Sequence, residues 1–216
     1  MRVTIIGGHG KIALLLAPML VEAGHEVTSV IRNPDHAADV EATGARALVA
    51  SVENADEATL AEQLAGQDAV VWSAGAGGGS PERTYAVDRD AAIRSMDAAT
   101  TAGARRYVMV SFSGSTTDAL VPEDNPFRHY QDAKIAADEH LRGSGLDWTI
   151  LAPGTLTLEP GGGAVNPDAS FNDGDTTSRE LVAQVATAVL GDARAHGKTL
   201  VFGDGDVPID TWLAAL

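Results

Sequence analysis

The chain has 216 residues, 44% of them hydrophobic, with 30 acidic against 15 basic residues and a net charge of -15. It has no cysteine, which excludes disulfides, thiolate metal sites and cysteine nucleophiles. The acidic excess disfavours nucleic acid and anionic membrane as partners, and no apolar run reaches the length of a membrane span. The opening MRVTIIGGHG lacks the long apolar core of a signal peptide, so a cytoplasmic location is expected.

The first element is a buried strand, VTIIG (3–7), followed by a helix through KIALLLAPMLVEAG. EVTSVI (26–31) is the second strand, and ARALVA (45–50), DAVVWSA (68–74), RYVMVS (106–111) and DWTILA (147–152) follow. Helices are expected near 55–65, 81–102 and 127–143. Continuous apolar strands alternating with helices predict a parallel sheet covered on both faces, a doubly wound α/β domain. Glycines in VEAGHEV, LAGQDAV, TAGARRY and GSGLDW end helices and hand the chain to the next strand.

The rhythm changes after residue 152. PGTLTLEPGGGAVNPDASFNDGD (153–175) reads as a long loop with a short strand at TLTL. Thr177 and Glu180 form a capping-box pattern that opens a helix to about Leu190. KTLVFGDG is a last strand and VPIDTWLAAL a short last helix. No linker divides the chain, so 1–216 is expected to be one domain with 153–216 as a small substrate-side extension.

GGHGKIA (7–13) lies between the first strand and the first helix. It fits Gly8-x-Gly10-x-x-Ala13 and, equally, Gly7-x-x-Gly10-x-x-Ala13. In either register the glycines permit a tight turn and close approach of backbone to a pyrophosphate, which the helix N-terminus attracts. A bare βα turn has the same appearance without a ligand. The turn is no Walker A loop, since Ile12 follows Lys11, and the chain has no Gly-x-Ser-x-Gly elbow. At the end of the second strand, where an acid would bind the ribose hydroxyls of NAD, stands Arg32, with no acid until Asp35. A guanidinium suits the 2′-phosphate of NADP, and Lys11 adds a second positive charge, so NADP is expected ahead of NAD.

Tyr130 and Lys134 stand at i and i+4 and share a helix face. A lysine ammonium favours the phenolate, so the pair reads as a proton donor and its helper. The preceding strand ends in VMVSFSGS, bringing Ser111 and Ser113 to the rim where open α/β sheets bind ligands. The six histidines show no metal-ligand spacing, and no metal is expected. Asp138 and Glu139 read as a solvated face, Trp72 and Trp148 as core, and Phe112 as facing core or substrate.

GGHGKIA, IRNP, RRYVMVSFSG, YQDAKIAADEHLRGSGLDWTILAPG and GDGDVPIDTWLAAL together resemble the short-chain dehydrogenase/reductase superfamily. The nearest likeness is to its short atypical, NAD(P)-binding epimerase/dehydratase-like members. The resemblance covers nearly the whole chain and implies a Rossmann-type fold. It implies Tyr130 as general acid/base, Lys134 as its pKa-lowering and ribose-holding partner, and Ser113, with Ser111 as the other candidate, on the substrate oxygen. Gly7, Gly10 and their neighbours His9, Lys11 and Ile12 would hold the pyrophosphate. Ser51 and Val52 would flank the adenine, Ala74 and Gly75 would lie along the cofactor, and Pro153 and Gly154 would border the nicotinamide. Ala152 stands where relatives often have arginine, and Ser51 where aspartate is common. The chain is also too short for a sugar-nucleotide substrate domain. The expected activity is NADP-dependent (NAD also admitted) oxidation or reduction of a small alcohol or carbonyl by a monomer or small homo-oligomer. A non-catalytic NADP-binding sensor and a flavin or tetrapyrrole reductase are the rival readings.

Overall fold

A computed structural model describes residues 1–78 and 80–216. β1 (Arg2–Ile6) leads into α1 (Lys11–Glu22), β2 (Glu26–Ile31), α2 (Ala37–Glu41), β3 (Arg46–Val49), α3 (Glu57–Leu64) and β4 (Ala69–Trp72). α4 (Pro81–Thr84), a π-helical segment (Tyr85–Ala91) and α5 (Ala92–Ala102) follow without a break, then β5 (Arg106–Val110), α6 (Arg128–Gly143) and β6 (Asp147–Pro153). The remainder comprises β7 (Thr155–Thr157), β8 (Ala164–Asn166), β9 (Thr176–Ser178), α7 (Arg179–Leu190), β10 (Lys198–Asp204), β11 (Val207–Pro208) and α8 (Ile209–Ala214).

The main sheet has the order β11-β8-β10-β6-β5-β4-β1-β2-β3. Every pairing from β10 to β3 is parallel, and only β8 joins its neighbours antiparallel. β7 and β9 form a separate two-stranded parallel ribbon. Strand order reverses between β1 and β4, and a crevice opens beyond the C-terminal ends of strands at such a switch point. α1 packs on α7 over one face, and α3 packs on α5 over the other. Each face has its own apolar cluster. Burial on both sides is why the strands read as unbroken apolar runs.

Three expectations need correction. The helix after residue 176 begins one residue later than the capping-box pattern indicates. Ser178, not Thr177, caps α7, accepting from Leu181 N–H at 3.1 Å. Thr177 is in β9 instead, where its hydroxyl accepts from Gly154 N–H and donates to the Phe202 carbonyl. The loop 153–175 also contains β8, whose Val165 is wholly buried against Asp204 of β10. Three residues among glycines carry no strand signal until that partner is known. Finally, α2 lies in a stretch with no expected helix, and Val40 is its one buried residue.

One buried cation ties the second half together. Arg106 of β5 is 6% exposed and donates to the carbonyls of Asp147, Val189 and Leu190 and to Thr149 Oγ1. Two of those acceptors are at the C-terminal end of α7, where a cation is favourable. Burial pulls the guanidinium down to about 10. Arg106→Met is expected to cost about 3–5 kcal/mol in urea unfolding, because it strands these acceptors in the core. A loss below about 1 kcal/mol would show that the network is dispensable.

Candidate functional site

The glycine turn is built by close backbone approaches. Gly7 has φ +86°, and a Cβ there would fall 2.6 Å from the Ala74 backbone. A Cβ on Gly8 would fall 2.4 Å from Ser29 Cβ. Gly10 donates to the Gly7 carbonyl at 2.8 Å and caps α1 without a side-chain hydrogen bond. The first-turn N–H groups of α1 therefore have no partner within the helix and face the turn. A cavity of about 380 Å³ opens over it, lined by Gly7, His9, Gly10 and Arg32. Ser51, Val52, Ala74 and Gly75 form its other walls. His9 stacks on His36 with ring centroids 3.6 Å apart and contacts Asp39 at 2.9 Å. Lys11 is exposed and lines neither this cavity nor the next. The open amides, the glycines Gly7 and Gly10 and an arginine at the rim fit a dinucleotide phosphate.

A second cavity, about 790 Å³, shares the Ser73–Ala76 segment with the first. Ile12, Ser111, Tyr130 and Lys134 line it. Lys134 is 1% exposed, and its Nζ donates to the Val110 carbonyl at 3.0 Å. The Tyr130 ring sits 5.1 Å from Phe112 and 5.3 Å from Phe127, so Phe112 faces this aromatic wall. Phe171 closes against both phenylalanines. Ser113, Pro153 and Gly154 line neither cavity. Ser113 N–H donates to the Pro153 carbonyl, and its hydroxyl is buried without a partner. A Cβ on Gly154 would strike the Asp175 carbonyl at 2.2 Å. Of the two serines, it is Ser111 that reaches the cavity wall.

Two carboxyls escaped the sequence reading. Asp138, expected on a solvated face, is wholly buried. Its Oδ2 accepts from Ser111 at 2.5 Å and Ser115 at 2.6 Å, and its Oδ1 has no partner. Tyr130, Lys134 and Asp138 continue one i, i+4, i+8 stripe, and that spacing was the available signal. Asp88, 3% exposed in the π-helical segment, accepts from Ala76 N–H at 3.0 Å and lines the cavity beside Lys134. Burial raises both carboxyls above the usual range, and Lys134 opposes the rise at each.

The electrostatics at Tyr130 run opposite to expectation. Burial, then the charges of Asp88 and Asp138, push its phenol well above the ordinary tyrosine value. Lys134 Nζ is seated on the Val110 carbonyl, and the influences that move the phenol are burial and the two carboxyls.

This fold, with its glycine turn at the switch point and paired cavities, defines a Rossmann-type nucleotide-binding protein. The chain belongs to the NAD(P)H-binding family, whose model matches residues 7–193. It is 33% identical to the uncharacterized sugar epimerase YhfK of Bacillus subtilis over 97% of both chains. A solved Bacillus halodurans protein, provisionally assigned as an NAD-dependent epimerase/dehydratase, superposes with TM-score 0.91 at 32% identity over the whole of both chains. The oxidoreductase ylbE of Lactococcus lactis gives 0.87 at 25% identity, covering all of this chain and 96% of that one.

Proposed function

We propose that the protein is an NADP-preferring oxidoreductase of the atypical short-chain dehydrogenase/reductase type that reduces a small carbonyl compound. The observation that carries the reading is that Ser111, Tyr130 and Lys134 line one cavity, which runs through Ser73–Ala76 into the glycine-turn pocket. When bound, the nicotinamide cofactor supplies the hydride. Tyr130 donates its proton to the carbonyl oxygen as charge develops there. Burial holds the phenol above its usual value and so protonated at neutral pH, the form that donates in the reducing direction. Ser111, oriented by Asp138, stands on the same wall to hydrogen-bond the substrate oxygen, the role expected first of Ser113. Lys134 lines the same cavity with its Nζ on the Val110 carbonyl. Phe127 lines the cavity with Phe112 and Phe171 packed against it, an apolar surface that favours an apolar substrate body. The test is NADPH oxidation against aldehydes, quinones and flavins, with Tyr130→Phe beside the wild type. Turnover that survives the substitution with flavins alone would mark a flavin reductase. Cofactor binding with no turnover of any acceptor would mark a sensor.

NADPH is expected to bind about ten- to a hundredfold more tightly than NADH, through a charge-assisted contact from Arg32. Arg32→Ala should remove most of that difference and leave NADH affinity nearly unchanged. Calorimetric titration of both proteins with both cofactors decides it. Equal affinities in the wild type would reduce Arg32 to a surface residue.

A further inference from the structure

The adenosine-side cavity contains a charge cluster drawn from three elements. Arg32 Nη1, just beyond β2, lies 3.4 Å from Glu53 Oε2, and Arg83 Nε, from α4, lies 3.8 Å from the same oxygen. All three side chains line the cavity. The backbone beneath Glu53 is fixed, because Arg94 of α5 donates to the carbonyls of Val52, Glu53 and Ala55 at 3.3, 3.0 and 3.1 Å. Arg83 is fixed in turn by a hydrogen bond from Nη1 to the Ala76 carbonyl. The two ion pairs themselves are loose. Both exceed the roughly 2.7–2.9 Å of a good charge-assisted bond, and the arginines are 62% and 36% exposed, so the pairs contribute little. Two guanidinium groups thus converge on one carboxylate oxygen that holds neither tightly.

We propose that Arg32, Arg83 and Glu53 form one unit that reads the ribose 2′ position, with Arg83 as a second phosphate ligand and Glu53 as a competitor that sets the NADP-to-NAD ratio. The inference rests on the dinucleotide reading above and extends it to residues with no assigned role. A 2′-phosphate presents three acceptor oxygens and draws both arginines away from Glu53. The Glu53 carboxylate repels that phosphate but accepts a hydrogen bond from the 2′-hydroxyl of NAD. A single carboxylate therefore narrows a preference that two arginines alone would make steep, and the chain's net charge of -15 acts in the same sense.

The experiment is calorimetric titration of 2′,5′-ADP and 5′-AMP into wild type, Glu53→Gln, Arg83→Met and Arg83→Lys, with thermal melting as the folding control. Glu53→Gln is expected to tighten 2′,5′-ADP about tenfold and to leave 5′-AMP unchanged or weaker. Arg83→Met should weaken 2′,5′-ADP about tenfold with 5′-AMP within about twofold, and Arg83→Lys should restore part of the loss. If Arg83→Met weakens both fragments equally, Arg83 only supports the turn at Ala76 and the proposal falls. It falls equally if Glu53→Gln shifts neither fragment, or if either variant loses its folded transition while the other leaves the selectivity unchanged. Wild-type protein that binds both fragments alike would overturn the NADP reading alone; the proposal falls with it only if Glu53→Gln also fails to favour 2′,5′-ADP. Failure to bind either would overturn the dinucleotide reading.

Discussion

Tyr130→Phe is expected to lower turnover of a confirmed carbonyl substrate about 10²–10⁴-fold, the usual contribution of a positioned general acid. NADPH affinity should stay within about twofold, because the cofactor's phosphate contacts lie at the glycine turn. The substitution is clean in structural terms. Phenylalanine keeps the ring contacts with Phe112 and Phe127. Among the described residues the tyrosine hydroxyl makes no hydrogen bond that the fold would lose. The pH behaviour adds a second readout. Burial and the charges of Asp88 and Asp138 hold the phenol high, so the alkaline fall in reductase activity should lie well above the ordinary tyrosine range. Asp88→Asn removes one of those charges and should move that limb to lower pH, toward more phenolate at a given pH. A Tyr130→Phe enzyme that works at the wild-type rate would transfer the proton donor's role to another group.

The framework of this protein is legible where each residue's neighbours are close in sequence. The alternation of VTIIG, EVTSVI, DAVVWSA and RYVMVS with Ala-rich helices predicts a parallel sheet, because burial on both faces makes the strands mostly apolar, with a few buried polar residues such as Thr4, Ser29 and Arg106. The turn at 7–13 is readable as a glycine motif between a strand and a helix, although the atoms that crowd Gly7 and Gly8 belong to Ala74, just beyond β4, and to Ser29 of β2. The Tyr130–Lys134 pair is readable because helical spacing is local. The charges that tune the site were harder to see. Asp138 differs from a solvated aspartate only in that Ser111 and Ser115, more than twenty residues upstream, fold back over it. Asp88 is turned inward by a π-helical segment with no marker in TYAVDRDAA. Glu53 and Arg83 meet through a loop pinned by Arg94, a contact spanning about forty residues. Ser111 and Ser113 share one strand end, and which of them lines the cavity depends on contacts distant in sequence, Ser111 with Asp138 and the Ser113 backbone with Pro153.

Asp138→Ala is expected to cost about 2–4 kcal/mol of stability, the penalty for leaving two buried hydroxyls unpaired around a small void. Asp138→Asn isolates the charge from the shape. Its side-chain oxygen can accept from Ser111 and Ser115 as the carboxyl does, and it cannot ionise. Burial raises the Asp138 carboxyl, while Lys134 and the two serines pull it only part of the way back. A group whose folded value lies above its unfolded value contributes stability that is full below the unfolded value, about 3.9, and is lost as pH rises through the folded one. The unfolding free energy of the wild type should therefore fall relative to Asp138→Asn as pH climbs from about 4, the two curves running parallel once Asp138 has ionised. Urea unfolding of both proteins at several pH values between about 4 and 8 measures the difference directly. A difference that grows in favour of the wild type with rising pH would mean that Lys134 outweighs burial and holds Asp138 as a carboxylate. Lys134 and Asp138, one turn apart on the stripe that begins at Tyr130, would then act as an ion pair in the folded protein.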